Sequence, residues 1–243
     1  MENFEVRKCE SKELAIVESA KFLSFELDKF KTSGTPILFL LSGGSALEII
    51  DRIDFSVLGS HITIAPLDER YDKDEDVNNF SQIIDTEFTI AARKEGVDFI
   101  DTRVFENDTH EYHAMRFASL LKKWRDSNPD GIILITQGIG PDGHTSGVMP
   151  FPENEEFFDR EFDTKDKDVA YYDAKDKNKY RLRTTTTLSF LRDKVDLSIV
   201  FACGEDKLSA LKKVSDEEGS LFETPARVVK EMKRVVIFTD QNI

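Results

Sequence analysis

A histidine at the end of a glycine-rich run is the residue of this sequence best placed to do chemistry. His144 closes the run GIGPDGH at 138–144, in which three glycines and a proline predict a rigid turn. An imidazole exchanges its proton near neutral pH, so a preorganised histidine can act as a general base. Asp142 could orient the ring or set its tautomer. The alternative is an ordinary surface histidine in a turn, and the glycine context favours the chemical role.

Three other polar or glycine-rich runs follow predicted strands. They are SGGS at 42–45, DER at 68–70 and GEDK at 204–207. Gly43 and Gly44 let the backbone approach an anion, and a helix beginning near Ser45 would offer free N–H groups. The run is not a P-loop, because the spacing and the Lys-Ser/Thr pair are absent. Taken alone, the glycine pair is better explained as a tight turn with Ser45 as N-cap.

The charged run at 68–70 would by itself be interpreted as a solvated cluster at the end of a strand. If the run is functional instead, Arg70 would be a fixed cation that lies over a carbonyl or ring oxygen of the substrate. Asp68 could orient that arginine or hydrogen-bond a sugar hydroxyl. No chemical role is predicted for His61, and His110 and His113 are expected to be solvated because they lie at or near a helix.

Two other kinds of site fit the residue types less well. Asp68, Glu69, Asp142 and His144 could converge on a metal ion, but no helical or CxxC ligand spacing supports this. A Ser-His-Asp triad on a nucleophile elbow would need a G-x-S-x-G motif, which does not occur. The sequence therefore predicts no metal site.

The elements that must position these residues alternate between apolar strands and amphipathic helices. Strands are predicted at 37–41, 62–67, 132–135, 197–202 and 235–238, and helices at 10–30, 45–53, 80–94, 111–126 and 206–214. This alternation predicts an α/β fold with a mostly parallel sheet and helices on both faces. Because ligands of such sheets bind beyond the carboxyl ends of the strands, the four polar runs are expected to converge on one site. The segment 153–179 is predicted to be a charged surface excursion that could border it.

Composition limits the classes of partner. The chain has 243 residues, predicted to form one domain over 1–243, and a net charge of -14 from 47 acidic and 33 basic residues. Such a charge argues against non-specific binding of nucleic acid or an anionic membrane, and an anionic substrate would need a local cluster of cations. Cys9 and Cys203 are isolated thiols. With no signal-peptide core or transmembrane run, a cytoplasmic protein is expected.

At these motifs the sequence resembles the 6-phosphogluconolactonase family, within the larger group that also holds glucosamine-6-phosphate deaminases. The resemblance spans nearly the whole chain, and the GPDGH run is its specific element. The other elements, in the family's order, are LSGGS at 41–45, DERY at 68–71, NNF at 78–80, RTTTTLSFL at 183–191, GEDK at 204–207 and a Pro-Ala pair at 225–226.

The resemblance implies a fold like that of ribose-5-phosphate isomerase and the CoA transferases. It implies hydrolysis of a small phosphorylated sugar lactone, 6-phosphoglucono-δ-lactone, with no metal or organic cofactor. The sequence does not distinguish a monomer from a homodimer, and one of these two states is expected. His144 resembles the base that activates water, and Arg70 the arginine that steadies the developing negative charge. The matches to phosphate-binding positions are Gly43, Gly44, Ser45, Arg183 and Lys207.

The departures from the family bear on the choice of substrate and of reaction. The family's Thr-Ala-Ser-Leu-Phe-Pro is replaced here by TSGVMP at 145–150, so Gly147 occupies the serine position. Ala46 removes a hydroxyl from the glycine turn. A deaminase would need a glutamate where this chain has Met149, which favours the lactonase. A non-catalytic sugar-phosphate sensor is a further alternative, but it would have no need of His144 or Arg70.

Overall fold

Short runs of consecutive apolar residues form most strands of the main sheet, because both faces of those strands are buried. The computed structural model describes residues 4–243. In chain order the strands are β1 (Phe4–Lys8), β2 (Ile37–Leu41), β3 (Ile62–Pro66), β4 (Asp68–Arg70), β5 (Asp98–Phe99), β6 (Ile132–Gly138), β7 (Val169–Asp173), β8 (Leu182–Thr186), β9 (Leu197–Phe201) and β10 (Val235–Thr239).

Seven of these strands form a parallel sheet in the order β1-β10-β9-β6-β2-β3-β5. Leu38 of β2 lies between Thr63 of β3 and Ile133 of β6. The chain passes from β2 to β3 on one side and later returns to β6 on the other. The sheet therefore has a switch point between β2 and β6, where ligands of open α/β sheets bind.

The described residues form eight α-helices, which pack around the sheets. In chain order they are α1 (Lys12–Ser33), α2 (Leu47–Ile50), α3 (Asn79–Ile84), α4 (Glu87–Lys94), α5 (His110–Ser127), α6 (Glu155–Phe162), α7 (Leu188–Lys194) and α8 (Leu208–Ser215). Alternate strand residues contact opposite cores: Leu38 and Leu40 pack with α5, α7 and α8, whereas Phe39 packs with α1 and α4. The predicted α/β fold with helices on both faces is confirmed. Within residues 4–243, no helix has the length and apolar character needed to span a membrane.

The remaining three strands form an antiparallel sheet in the order β4-β8-β7, which the sequence did not predict. Strand β4 begins two residues after β3 ends, so this sheet starts at the carboxyl edge of the main one. Asp68 pairs with Thr185, and Arg70 pairs with Arg183. Successive strand residues face opposite sides, so these four residues share one face and Glu69 lies on the other.

The structure also corrects several predicted boundaries. The helix expected at 80–94 is two helices, because Thr86 interrupts it and its side chain caps α4. The helix expected at 45–53 is a 3₁₀ turn at Gly44–Ala46 followed by α2. The segment 153–179 is more ordered than a surface excursion, since it contains α6 and β7 with Phe158 and Phe162 fully buried.

Glu69 ties the start of the second sheet to the rest of the fold. Its carboxylate accepts the backbone N–H groups of Asn79 (2.5 Å) and Phe80 (3.0 Å) at the start of α3, and the hydroxyl of Thr102 (2.9 Å). Burial raises the pKa of Glu69 to about 7, although these donors favour the charged form.

His113 extends this buried polar network. The prediction that it is solvated is wrong, because its ring is completely buried. Its Nε2 donates to the carbonyl oxygen of Thr102 (2.6 Å), which leaves Nδ1 to accept from the hydroxyl of Thr184 (3.0 Å). Since Thr184 lies opposite Glu69 on β8, the network holds the inner face of the second sheet in place.

The raised pKa of Glu69 predicts a pH dependence of stability. The ordinary value is 4.5 and the folded value about 7, so between these pH values the folded protein holds a proton that the unfolded chain has released. Stability from Glu69 is therefore present below about pH 4.5 and declines as pH rises through 7. The unfolding free energy of wild type minus that of Glu69→Gln should fall by at least about 1 kcal/mol from pH 4.5 to about pH 8, because only wild type loses stability when Glu69 ionises. Denaturant unfolding measures it, and a constant or rising difference would contradict the assignment.

Candidate active site

The four polar runs meet at one cavity, as expected from the strand order. They follow β2, β3, β6 and β9, which are neighbours in the main sheet and end at the same edge. The cavity has a volume of about 190 Å³. Its lining includes eight of the nine predicted site residues: Gly43, Gly44, Ser45, Asp68, Arg70, His144, Arg183 and Lys207. The ninth, Asp142, contacts His144 directly.

The turn after β6 holds His144 against Asp142. The Asp142 carboxylate accepts Nδ1–H of the ring at 2.5 Å and the backbone N–H of His144 at 3.1 Å. Partial burial alone would raise the pKa of Asp142, but the hydrogen bond and charge of His144 lower it overall. Because a carboxylate only accepts, Nδ1 must carry the proton, which leaves Nε2 with a lone pair. Within residues 4–243, Nε2 has no hydrogen-bond partner.

Glycines in this turn make the arrangement sterically possible. A Cβ on Gly140 would lie 2.0 Å from Nδ1 of His144, so the ring packs directly on that backbone. Gly143 has φ +89°, and a Cβ there would lie 2.9 Å from Cγ2 of Thr224. The carbonyl oxygen of Gly143 accepts the N–H of Ala226 at 3.0 Å. The Pro-Ala pair at 225–226 thus helps to hold the turn that carries His144.

Two arginines and an aspartate line the wall that the second sheet contributes. Arg183 forms a buried ion pair with Asp68 through Nη2. Arg70 lies directly opposite Arg183, and its Nη1 donates to the carbonyl oxygen of Val77 at 3.0 Å. Burial lowers the pKa of Arg70, although Asp68 opposes this. A guanidinium is not deprotonated in proteins, so both arginines remain cations.

The glycine turn after β2 packs against α3. A Cβ on Gly43 would lie 2.4 Å from Oδ1 of Asn79, so only glycine permits this approach. Gly44 has φ +69°, in the left-handed region. Lys207 reaches the cavity from beyond β9 and forms an ion pair with Asp206 at 2.9 Å. The turn and Lys207 bring backbone N–H groups and a cation to the same cavity.

Sequence reasoning missed two polar side chains that line the cavity, Asn79 and Ser146. Asn79 belongs to the NNF element, but nothing in its pattern distinguishes it from a residue that begins a helix. Nothing in the run TSGVMP at 145–150 distinguishes Ser146 from an ordinary turn residue. The sequence leaves open that the charged segment 153–179 borders the site, and none of its residues, all described, lines the cavity. No group of three or more His, Cys, Asp and Glu side chains within residues 4–243 is arranged to hold a metal ion.

Fold and cavity together define an α/β protein with a cation-lined ligand site at the carboxyl edge of a parallel sheet. The family model for glucosamine-6-phosphate isomerases/6-phosphogluconolactonase matches residues 10–238. The chain belongs to this family. A search of curated proteins found no match.

Several solved structures of 6-phosphogluconolactonases share the fold over nearly their full length. The protein from Trypanosoma cruzi has a TM-score of 0.75 at 14% identity, covering 97% of this chain and 93% of its own. The protein from Plasmodium vivax has a TM-score of 0.74 at 18% identity, covering 100% and 92%. The protein from Thermotoga maritima has a TM-score of 0.66 at 20% identity, covering 97% and 98%.

Gly147, where the family resemblance predicts a serine, is required by its surroundings. Its φ is +75°, and a Cβ would lie 2.7 Å from Oδ2 of Asp68. We expect Gly147→Ser to lower the free energy of unfolding by about 1–3 kcal/mol, because the side chain would meet the buried ion pair. Gly138→Ala is the matched control, since a Cβ at 138 meets nothing within 4 Å. Thermal denaturation compares them, and equal stability of the two variants would refute the steric argument.

Proposed function

We propose that this chain hydrolyses 6-phosphoglucono-δ-lactone to 6-phosphogluconate. The observation that supports this most directly is the His144–Asp142 pair at the mouth of a cavity that also contains Arg70, Arg183 and Lys207. Lactone hydrolysis needs a base for water, a donor for the oxyanion and, here, cations for the phosphate. The cavity offers each of these groups, and the reaction needs no nucleophilic side chain.

In the proposed reaction Nε2 of His144 accepts a proton from water as the water oxygen attacks the lactone carbonyl carbon. The carboxylate of Asp142 holds the ring and stabilises the imidazolium that forms. The carbonyl oxygen becomes an oxyanion, which Arg70 stabilises. The tetrahedral intermediate then re-forms the carbonyl, and the bond to the ring oxygen breaks. That oxygen takes the proton from His144, so the base is regenerated and the product is the open-chain acid.

We assign phosphate binding to the glycine turn after β2, to Arg183 and to Lys207. Gly43, Gly44 and Ser45 lie at the start of a 3₁₀ turn and α2, where the first N–H groups have no intrahelical partner. Arg183 and Lys207 add positive charge. These groups form the local cluster of cations that an anionic substrate needs in a protein with a net charge of -14.

The surroundings of Met149 favour the lactonase over a deaminase. The side chain is buried in the core, and its backbone N–H donates to the Tyr172 hydroxyl at 3.2 Å. Met149 does not line the cavity and cannot exchange a proton. The position where a deaminase would need glutamate therefore offers no acid or base. A cytoplasmic location and a monomeric or homodimeric state stay predictions.

Substituting His144 tests the reaction. We expect His144→Ala and Asp142→Asn to lower kcat/KM for fresh 6-phosphoglucono-δ-lactone by about 10²-fold or more, because general base catalysis typically contributes 10²–10⁴-fold. Proton release above the spontaneous rate measures turnover.

His61→Ala is the matched control, since His61 lies just before β3 at the amino end of the sheet, away from the cavity. If wild type only equals the spontaneous rate, the lactonase proposal fails, and the sensor alternative gains support if binding of 6-phosphogluconate persists. Ammonia release from glucosamine 6-phosphate would instead support the deaminase.

Substituting Lys207 tests phosphate binding separately from the chemical step. We expect Lys207→Met to raise KM for the phosphorylated lactone by about tenfold, because a hydrogen bond to a charged group is lost. Turnover of unphosphorylated glucono-δ-lactone should be unchanged. Lys212→Met, on the exposed face of α8, is the matched control. An equal loss with both lactones would contradict the assignment of Lys207 to the phosphate.

A further inference from the structure

Buried polar atoms without partners concentrate around the cavity. Among the described residues, eight buried side-chain nitrogen or oxygen atoms have no hydrogen-bond partner. Four of them belong to residues that line the cavity: Arg70 Nε, Asn79 Oδ1, Ser146 Oγ and Arg183 Nε. A buried polar atom without a partner destabilises a protein, so this concentration indicates groups that a ligand satisfies.

Ser146 is the unusual member of this set. Its φ is +49°, and Lys175 is the only other non-glycine residue with positive φ among those described. Serine rarely adopts this conformation, in which glycine or asparagine would be less strained. Ser146 is also 3% exposed and lies in the cavity wall. The chain therefore retains a strained serine whose hydroxyl bonds nothing in the protein.

The surrounding structure fixes the position of this serine. Ser146 and Gly147 form the two-residue turn between Thr145 and Val148, whose backbones hydrogen-bond each other. The hydroxyl of Thr185 donates to the carbonyl oxygen of Ser146. The hydroxyl of Tyr172 donates to the carbonyl oxygen of Gly147 at 2.6 Å. Two strands of the second sheet thus hold the turn against the cavity.

Steric exclusion at 147 explains why the hydroxyl is at 146. Any side chain at 147 would collide with Asp68, which is held by Arg183. A hydroxyl on this turn can therefore be supplied only from the neighbouring position. The ion-paired Asp68 and Arg183 line the same cavity as Ser146, and the Nε–H of Arg183 is a second donor without a partner among the described residues.

We propose that Ser146 is a substrate-binding residue whose hydroxyl donates to an oxygen of the sugar-phosphate ligand, replacing the hydroxyl absent from 147. This inference rests on the proposed function, because it takes 6-phosphogluconate as the ligand of the cavity. It assigns to this chain a contact from a position where the family pattern has alanine.

Calorimetric binding of 6-phosphogluconate to wild type, Ser146→Ala and Ser146→Gly tests the proposal. Both variants should bind about tenfold more weakly, since a hydrogen bond to the ligand is lost. Ser146→Gly should also melt at the same temperature as wild type or higher, because glycine relieves the positive φ. A serine with only a structural role would not give weaker binding together with unchanged or greater stability.

Ser189→Ala is the matched control, because Ser189 Oγ is also buried without a partner but the residue does not line the cavity. It should bind as wild type does. The inference is overturned if both Ser146 variants bind within twofold of wild type. If wild type binds 6-phosphogluconate but does not hydrolyse the lactone, and the Ser146 variants bind weakly, the proposed reaction fails while the inference stands. A wild-type protein that does not bind 6-phosphogluconate overturns both.

Discussion

The buried ion pair between Asp68 and Arg183 determines the shape of the cavity wall. Asp68 lies two residues beyond the end of β3, and Arg183 lies on β8, so the pair fastens the second sheet to the edge of the first. The side chains are only 4% and 6% exposed. Removing one partner of such a pair leaves an uncompensated buried charge, which typically costs about 3–5 kcal/mol. The pair also permits Arg70 and Arg183, two like charges, to face each other across neighbouring strands.

The carboxylate of Asp68 also constrains which residues can occupy the turn at 146–147 that packs on it. Position 147 must be glycine, because Asp68 fills the space beside it and because its backbone has left-handed angles, with φ +75°. The strain falls on Ser146, which the hydroxyl of Thr185 holds in place. The serine that the family resemblance predicts at 147 is thus excluded by Asp68, and the hydroxyl of this turn belongs to Ser146 instead.

Five strands of the main sheet and the cavity could be predicted because their signals are local, whereas β1 (FEVRK) and β5 (DF) contain no continuous apolar run that would predict them. Buried strands are continuous apolar runs, and the loops at their carboxyl ends are rich in glycine and charge, as at 42–45 and 138–144. The second sheet could not be predicted this way. Strand β8 has the sequence LRTTT, and its threonines are buried. Hydrogen bonds to groups distant in sequence satisfy their hydroxyls, as Thr186 donates to the carbonyl oxygen of Leu67. The burial of His113 likewise depends on Thr102 and Thr184, which are far from it in sequence.

The pairing of charges around the cavity distinguishes the two arginines. Three of the positively charged or ionisable groups in its wall have a carboxylate partner: Arg183 with Asp68, Lys207 with Asp206 and His144 with Asp142. Arg70 has no ion pair within the described residues. Its Nη1 bonds a neutral carbonyl, and its guanidinium lies 4.9 Å from the ring centre of Tyr180. Since a partly buried charge without a counterion gains most from a new negative charge nearby, the oxyanion of the proposed hydrolysis should be stabilised more by Arg70 than by Arg183. This asymmetry supports separate roles for two residues that face each other on adjacent strands.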